Sequence, residues 1–207
     1  APICAIYGFV RFADEIVDTF HDFNKTALLQ RLREDTKLAI DEGISINPVL
    51  HSFQNVVHEY HIEWELIDAF LRSMEMDLNQ VSYNDTNYET YIYGSAEVVG
   101  LMCLRVFCEG NDAEFQKLKE PARRLGAAFQ KVNFLRDIKS DFEERGRVYF
   151  PGVDFKSFTL QDKTAIELDI KADFDRALEG IRHLPKGSRL GVYVAYTYYN
   201  QLFAKMK

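Results

Sequence analysis

Apolar positions recur at spacings of three and four along almost the whole chain, the period of helices with one buried face. Ile3, Ile6, Tyr7 and Val10 begin this pattern at once. Pro2 suits a first helical turn, where its missing N–H costs nothing, and the pattern continues through Asp18 to about Phe20. A second helix fits Lys25 to Glu42 and stops at Gly43. Asn47-Pro48 reads as a cap followed by a first-turn proline, opening a helix to about His61. Another covers Glu63 to Asn79. A loop from Ser82 to Asn87 precedes a long helix, Tyr88 to Cys108, ended by Glu109-Gly110-Asn111. Asp112 caps a short helix. Pro121 then starts the longest pattern, which runs to about Glu144 and ends at Gly146. After an irregular stretch, Tyr149 to Phe158, Thr159 caps a charged amphipathic helix to about His183, and Ser188 caps the last one. No segment alternates convincingly as a strand does, and no repeat or linker divides the chain. The pattern predicts a single all-α domain.

Composition narrows the function classes. Of 207 residues, 47% are hydrophobic and 14% aromatic, which argues against disorder and suits a sizeable core. A net charge of −7 speaks against nucleic acid as a partner, because phosphate backbones call for a basic face. An acidic protein still binds diphosphate when divalent cations lie between the like charges. Cys4, Cys103 and Cys108 form no CxxC pair and read as buried, reduced thiols, which points to a reducing, cytoplasmic setting. The longest apolar run, Val98 to Cys108, contains Arg105 and is too short to span a bilayer. No signal peptide is visible. Helical spacing is already under way at the first residues and still running at Met206, which reads as a domain without its terminal segments.

Two Asp-x-x-x-Asp pairs carry candidate chemistry: Asp14/Asp18 and Asp137/Asp141. Residues four apart share a helix face, so each pair presents two carboxylates to one cation. Magnesium is commonly held by one or two carboxylates with substrate phosphates and water. Spacing alone discriminates poorly, since Asp18/Asp22 and Asp169/Asp173 show it too. Asp169/Asp173 lies in the alternating charged segment Glu167 to Glu179 and reads as a solvent face. Asp14/Asp18 is instead interleaved with Phe12, Ala13, Ile16 and Val17. Asp137/Asp141 extends a polar stripe through Gln130 and Asn133, flanked by Phe129, Val132, Phe134, Leu135 and Ile138. A polar stripe on an otherwise apolar helix must be paired, hydrated or liganded. Arg11 and Arg136 accompany the clusters, and Arg145 and Arg147 follow; the guanidinium fork suits diphosphate oxygens.

These segments resemble a known family. Tyr7-Gly-Phe-Val-Arg-Phe-Ala-Asp-Glu-Ile-Val-Asp18 is similar to the first aspartate-rich motif of phytoene and squalene synthases. Gln130-Lys-Val-Asn-Phe-Leu-Arg-Asp-Ile-Lys-Ser-Asp141, continuing through Arg145-Gly-Arg-Val-Tyr-Phe-Pro151, resembles their second motif. Tyr91-Ile-Tyr-Gly-Ser-Ala-Glu-Val-Val-Gly100 resembles their central tyrosine-containing helix. The resemblance covers nearly the whole chain and implies an isoprenoid-synthase-type helical bundle around a central cavity, with the aspartate clusters facing each other at its mouth. It implies one prenyl synthase domain over 1–207, lacking the family's first and last helical segments. It also implies head-to-head condensation of two prenyl diphosphates through a cyclopropylcarbinyl diphosphate. Asp14, Asp18, Asn133, Asp137 and Asp141 would then be metal or metal-proximal residues. Arg11, Gln130, Arg136, Arg147 and Tyr149 would contact diphosphates, and Tyr7 and Tyr91 would lie near the reacting carbons. The cofactor would be Mg2+, with Mn2+ as a substitute.

The run Arg145 to Pro151 looks closer to bacterial phytoene synthases, implying two geranylgeranyl diphosphates, carotenoid biosynthesis and no NADPH. Dehydrosqualene or squalene synthesis from farnesyl diphosphate is the alternative. Lipophilic substrates and product suggest peripheral association with the inner face of the membrane. Glu97 stands where many members have glycine. Two other classes compete. A di-iron carboxylate bundle would draw on His51, His58, Glu59, His61, Glu63 and Glu65, but no Glu-x-x-His pair exists in the chain. A non-enzymatic scaffold would be marked by loss of the aspartate clusters, and both are intact.

Overall fold

The computed structural model describes residues 2–79, 85–145, 149–151 and 159–207, with side chains over 2–78, 86–138, 149–151 and 159–207. Among these residues there is no strand. Helix α1 (Pro2–Asp18) buries Ile6, Phe9, Ala13, Ile16 and Val17 along one stripe. The Lys25 ammonium closes its end by donating to the Val17 carbonyl at 2.6 Å. Helix α2 (Lys25–Glu42) starts where the Asn24 side chain accepts from the Ala27 N–H and stops at Gly43, which takes φ 70°. Helix α3 (Pro48–Tyr60) is capped by Asn47, which accepts from Val49 and Leu50 N–H groups, and closed by His61 in the left-handed region. Helix α4 spans Trp64–Asn79, and α5 spans Asp85–Ile92. A single wider π turn, Tyr93–Glu97, joins α5 to α6 (Val98–Phe107). Helices α7 (Asp112–Arg145), α8 (Leu160–Ile181) and α9 (Lys186–Met206) follow.

Helix α6 and the π turn occupy the middle. On one side α1 packs against α2, α3, α4 and α6; on the other, α7 packs against α6, the π turn, α8 and α9. Phe9 stacks on Phe53 at 4.1 Å between centroids and meets Phe70 at 5.7 Å, each fully buried. Burying one such ring contributes about 1.5–3 kcal/mol. Gly94 and Gly126 let the π turn fit between its neighbours. A Cβ at Gly94 would stand 2.6 Å from the Ala69 carbonyl oxygen, and one at Gly126 would stand 2.8 Å from that of Ala96.

Several expectations from the sequence are corrected. Pro121 does not begin a helix: α7 runs unbroken through it. Interior proline costs about 3 kcal/mol of helix, but its ring is seated against Gly180 of α8, where a Cβ would come within 2.2 Å. The first cap of α7 is Asn111, which accepts from the Glu114 N–H, because the Asp112 carboxylate is drawn to Arg105 at 2.5 Å. Ser188 does not cap α9, which begins at Lys186 directly after Pro185. The helix placed at Tyr88 begins at Asp85 and contains the π turn. Thr159 does cap α8, in a reciprocal box with Asp162. Cys4 is exposed and Cys103 only partly buried, so Cys108 alone is a buried thiol; all three are free. The predicted loop at Ser82, the stop at Gly146 and the stretch from Gly152 to Phe158 lie outside the described residues. Among the described residues no helix is long and apolar enough to cross a membrane.

The charged segment of α8 is not a solvent face throughout. Asp173 is buried and held by the Lys131 ammonium at 2.6 Å and by Arg124 at 3.3 Å; Lys131 also reaches Asp169 at 2.5 Å. Alternation of charges looks the same whether the neighbour is water or another helix, and here α7 covers this face.

Candidate active site

Tyr7, Arg11, Asp14 and Asp18 follow one another at helical spacing along the edge of the buried stripe of α1. Asp14 is half-buried. Burial pushes its carboxyl up to about 6, the neighbouring Asp18 adds to the rise, and Arg11 opposes it. Arg11 is itself engaged by Glu15 one turn on. Asp18 is exposed, and Tyr7 is 67% exposed on the same face. Two crowded carboxylates beside an arginine already engaged elsewhere form a donor set that a divalent cation would neutralise.

The second cluster lies on α7. Gln130 and Asn133 are half-buried, and the Asn133 side-chain oxygen accepts from the Tyr199 hydroxyl at 3.4 Å. Tyr199 is steadied by stacking on Phe129 at 4.0 Å. Asp137 accepts a fork from its neighbour Arg136, at 2.8 and 2.6 Å. Asp141 is part of α7, but its side chain, like those of Arg145 and Arg147, lies outside the described residues.

Beside this stripe is an aromatic stack that spacing did not reveal. Phe134 and Tyr149 lie face to face at 4.1 Å and 6°. Tyr91 stacks on both, at 6.0 and 5.8 Å, and Phe150 meets Phe134 edge-on at 6.1 Å. Tyr149 and Tyr91 are buried there. The Tyr91 hydroxyl donates to Asp77 Oδ2 on α4 at 2.8 Å. Tyr88 packs against the same cluster, and its buried hydroxyl meets no hydrogen-bond partner among the described residues. Glu97, unassigned by the sequence, ends the π turn and accepts from Arg123 of α7 at 2.6 Å; burial raises its carboxyl despite that partner.

Gln130, Asn133, Arg136 and Asp137 thus share α7 with Phe134, the residue that packs on Tyr91 and Tyr149, while Tyr7, Arg11, Asp14 and Asp18 share α1. Helices α1 and α7 each pack on α6. Sequence reasoning missed Asp77, Tyr199's contact with Asn133, and the Lys131–Asp173 pair. No group of three or more His, Cys, Asp or Glu side chains close enough for a metal ion occurs among the described residues. Two histidines of the di-iron alternative are engaged by backbone instead: His58 Nε2 meets the Ile40 carbonyl and His51 Nδ1 the Ser45 N–H. Two surface hollows, of about 610 Å³ between α1 and α3 and about 180 Å³ among α7, α8 and α9, are lined by neither carboxylate pair.

Comparison with known proteins bears directly on these helices. The family model described as squalene/phytoene synthase matches residues 1–207. The 4,4'-diapophytoene synthase of Staphylococcus haemolyticus is 25% identical over 177 residues, covering 83% of this chain and 59% of the relative. The phytoene synthase of Arthrospira platensis is 29% identical over 170 residues, covering 77% of this chain and 55% of the relative. The chain therefore spans between half and three fifths of the length of these relatives. The crystal structure of squalene synthase HpnC from Alicyclobacillus acidocaldarius superimposes with a TM-score of 0.83 at 19% identity, over 98% of this chain and 80% of that one. At that identity the likeness is one of fold.

Proposed function

The chain belongs to the squalene/phytoene synthase family, and we propose that the protein condenses two geranylgeranyl diphosphates head to head to phytoene. The observation that carries this reading is the pair of carboxylate half-sites on apolar helices, each beside an arginine and inside a family motif. Asp14 and Asp18 would hold one part of the metal–diphosphate complex, and Asn133, Asp137 and Asp141 the other. Mg2+ bound there would supply Lewis-acid stabilisation of the leaving diphosphate.

The chain's own residues divide the remaining work. Arg11, Gln130, Arg136, Arg147 and the Tyr149 hydroxyl bind diphosphate oxygens and fix the orientation of the prenyl chain. Tyr91 presents a buried aromatic face to the allylic cation. Phe134, Tyr149 and Phe150 form a dry wall that keeps water from that cation. Tyr7, which is largely exposed, would cover the first half-site from solvent. Peripheral membrane association would serve delivery of lipophilic substrates.

The alternative, dehydrosqualene or squalene formation from farnesyl diphosphate, is favoured by relatives bearing 4,4'-diapophytoene and presqualene diphosphate names. Product analysis of the complete protein with C15 and C20 diphosphates, with and without NADPH, separates the readings. A C40 hydrocarbon formed without reductant is expected. Preference for farnesyl diphosphate with a C30 product refutes the phytoene reading, and no head-to-head product from either refutes the reaction class.

A further inference from the structure

We propose that Asp77 is the positioning residue of Tyr91 and the end of a short proton path leading away from the substrate. Tyr91 sits in the last turn of α5, and its hydroxyl donates to Asp77 Oδ2 on α4 at 2.8 Å. Its ring is held nearly parallel to Phe134 and Tyr149, at 25° and 27°. Phe134 is the neighbour of Asn133, so the Tyr91 ring is anchored beside the second carboxylate stripe. The hydrogen bond and the two stacked rings together set both the plane of the phenol and the direction of its proton.

That direction has a chemical consequence. A hydrogen bond from phenol to carboxylate is stronger than one between neutral groups. With the hydroxyl proton committed to Asp77, the phenol oxygen offers lone pairs, not a proton, to anything else that approaches. Donation to the carboxylate also makes the phenol oxygen more phenolate-like, and the electron density it releases into the ring strengthens the ring's hold on a cation.

The inference rests on the reading of this site as one for allylic diphosphates. In that chemistry a carbocation closes to a cyclopropane with loss of a proton. The C–H bond breaks, and its electron pair completes the new C–C bond. The proton passes to the Tyr91 oxygen while the Tyr91 hydroxyl proton passes to Asp77, which becomes a neutral acid. No oxidant or reductant takes part, and the acid later returns its proton to water.

Asp77→Asn keeps an acceptor of the same shape but removes the base, whereas Asp77→Leu removes both. In the complete protein two readouts are taken. The first is the ring-carbon NMR signal of Tyr91, assigned with Tyr91→Phe, which reports the hydrogen bond without substrate. The second is kcat, KM and the fraction of prenyl alcohol, the product of cations captured by water. The Tyr91 signal is expected to move in Asp77→Leu and much less in Asp77→Asn. In Asp77→Asn, kcat falls about 10²-fold, KM stays within about twofold of wild type, and the alcohol fraction rises. Asp77→Asn added to Tyr91→Phe costs nothing more, since the two act as one unit. Wild-type kcat and product ratio in Asp77→Asn overturn the proton path, as do losses that multiply in the double variant. An unmoved Tyr91 signal in Asp77→Leu overturns the positioning role, whether or not the wild type forms a head-to-head product.

Discussion

Replacing Lys131 by methionine removes the ammonium 2.6 Å from Asp173 while keeping most of the side-chain volume. The side chains of Lys131 and Asp173 are 9% and 4% exposed, so this is a buried ion pair, whereas Asp169, the other partner, is 58% exposed. The Asp169 contact accounts for under about 1 kcal/mol, because water screens it. Stranding Asp173 costs more, since removing one member of a buried pair typically destabilises by about 3–5 kcal/mol. Arg124 remains at 3.3 Å from the same carboxylate, which places the loss near the lower end, at about 3 kcal/mol. For a chain of this length that lowers Tm by about 6–12 °C. Thermal unfolding followed by circular dichroism, with urea denaturation as a second measure, reads it directly. Adding Asp173→Leu should recover most of the loss, because a well-packed apolar pair often matches an ionic one. A loss under about 1 kcal/mol in Lys131→Met, or no recovery in the double variant, would refute the account of this pair as buried and mutually dependent.

Three further outcomes follow from other contacts. Asp137→Asn should lower turnover at least about 10²-fold, yet cost under about 1 kcal/mol of stability, since its pair with Arg136 is well exposed. Steady-state kinetics beside a melting curve checks both halves, and wild-type rates would remove Asp137 from the site. Gly94→Ala gains about 1 kcal/mol of helix preference but forces a Cβ to 2.6 Å from the Ala69 carbonyl, so a net loss of about 1–2 kcal/mol is expected in urea unfolding. For Glu97, burial raises the carboxyl above its ordinary 4.5, more than Arg123 lowers it. The folded state therefore holds that proton more tightly than the unfolded chain, and stability associated with it declines as pH rises through 4.5 and above. Urea titrations of wild type and Glu97→Gln across that window should show the wild type losing ground relative to the variant as pH rises, and a constant difference would contradict it.

What could be read from the sequence was local chemistry. Gly43, Asn47-Pro48 and Thr159 mark helix ends because their hydrogen bonds and dihedrals involve residues within three or four positions. Pro121 misleads for the same reason: its local cost is plain, while its compensating seat on Gly180 comes from another helix. Asp173 was hidden because its partner lies 42 positions away, and an alternating charge pattern does not say what faces it. Spacing alone proposed four aspartate pairs, and context with the family motifs selected two. Asp77 carried no signal of its own; only the fold brings it to a tyrosine 14 positions on.

The π turn between α5 and α6 also fixes a phase relation. Before it, Tyr91 and Ile92 enter the aromatic cluster with Phe134 and Tyr149; after it, Val98, Leu101, Met102 and Leu104 enter the main core. Each residue turns an α-helix by about 100°, so a single wider turn works like a spliced screw thread whose two halves are offset by one such step. Substitutions within residues 93–97 leave that offset in place. Deleting any one of them would bring the threads into step, and with α6 held in the core the Tyr91 hydroxyl would swing about 100° away from Asp77. Chain length in this turn is thus a constraint separate from residue identity.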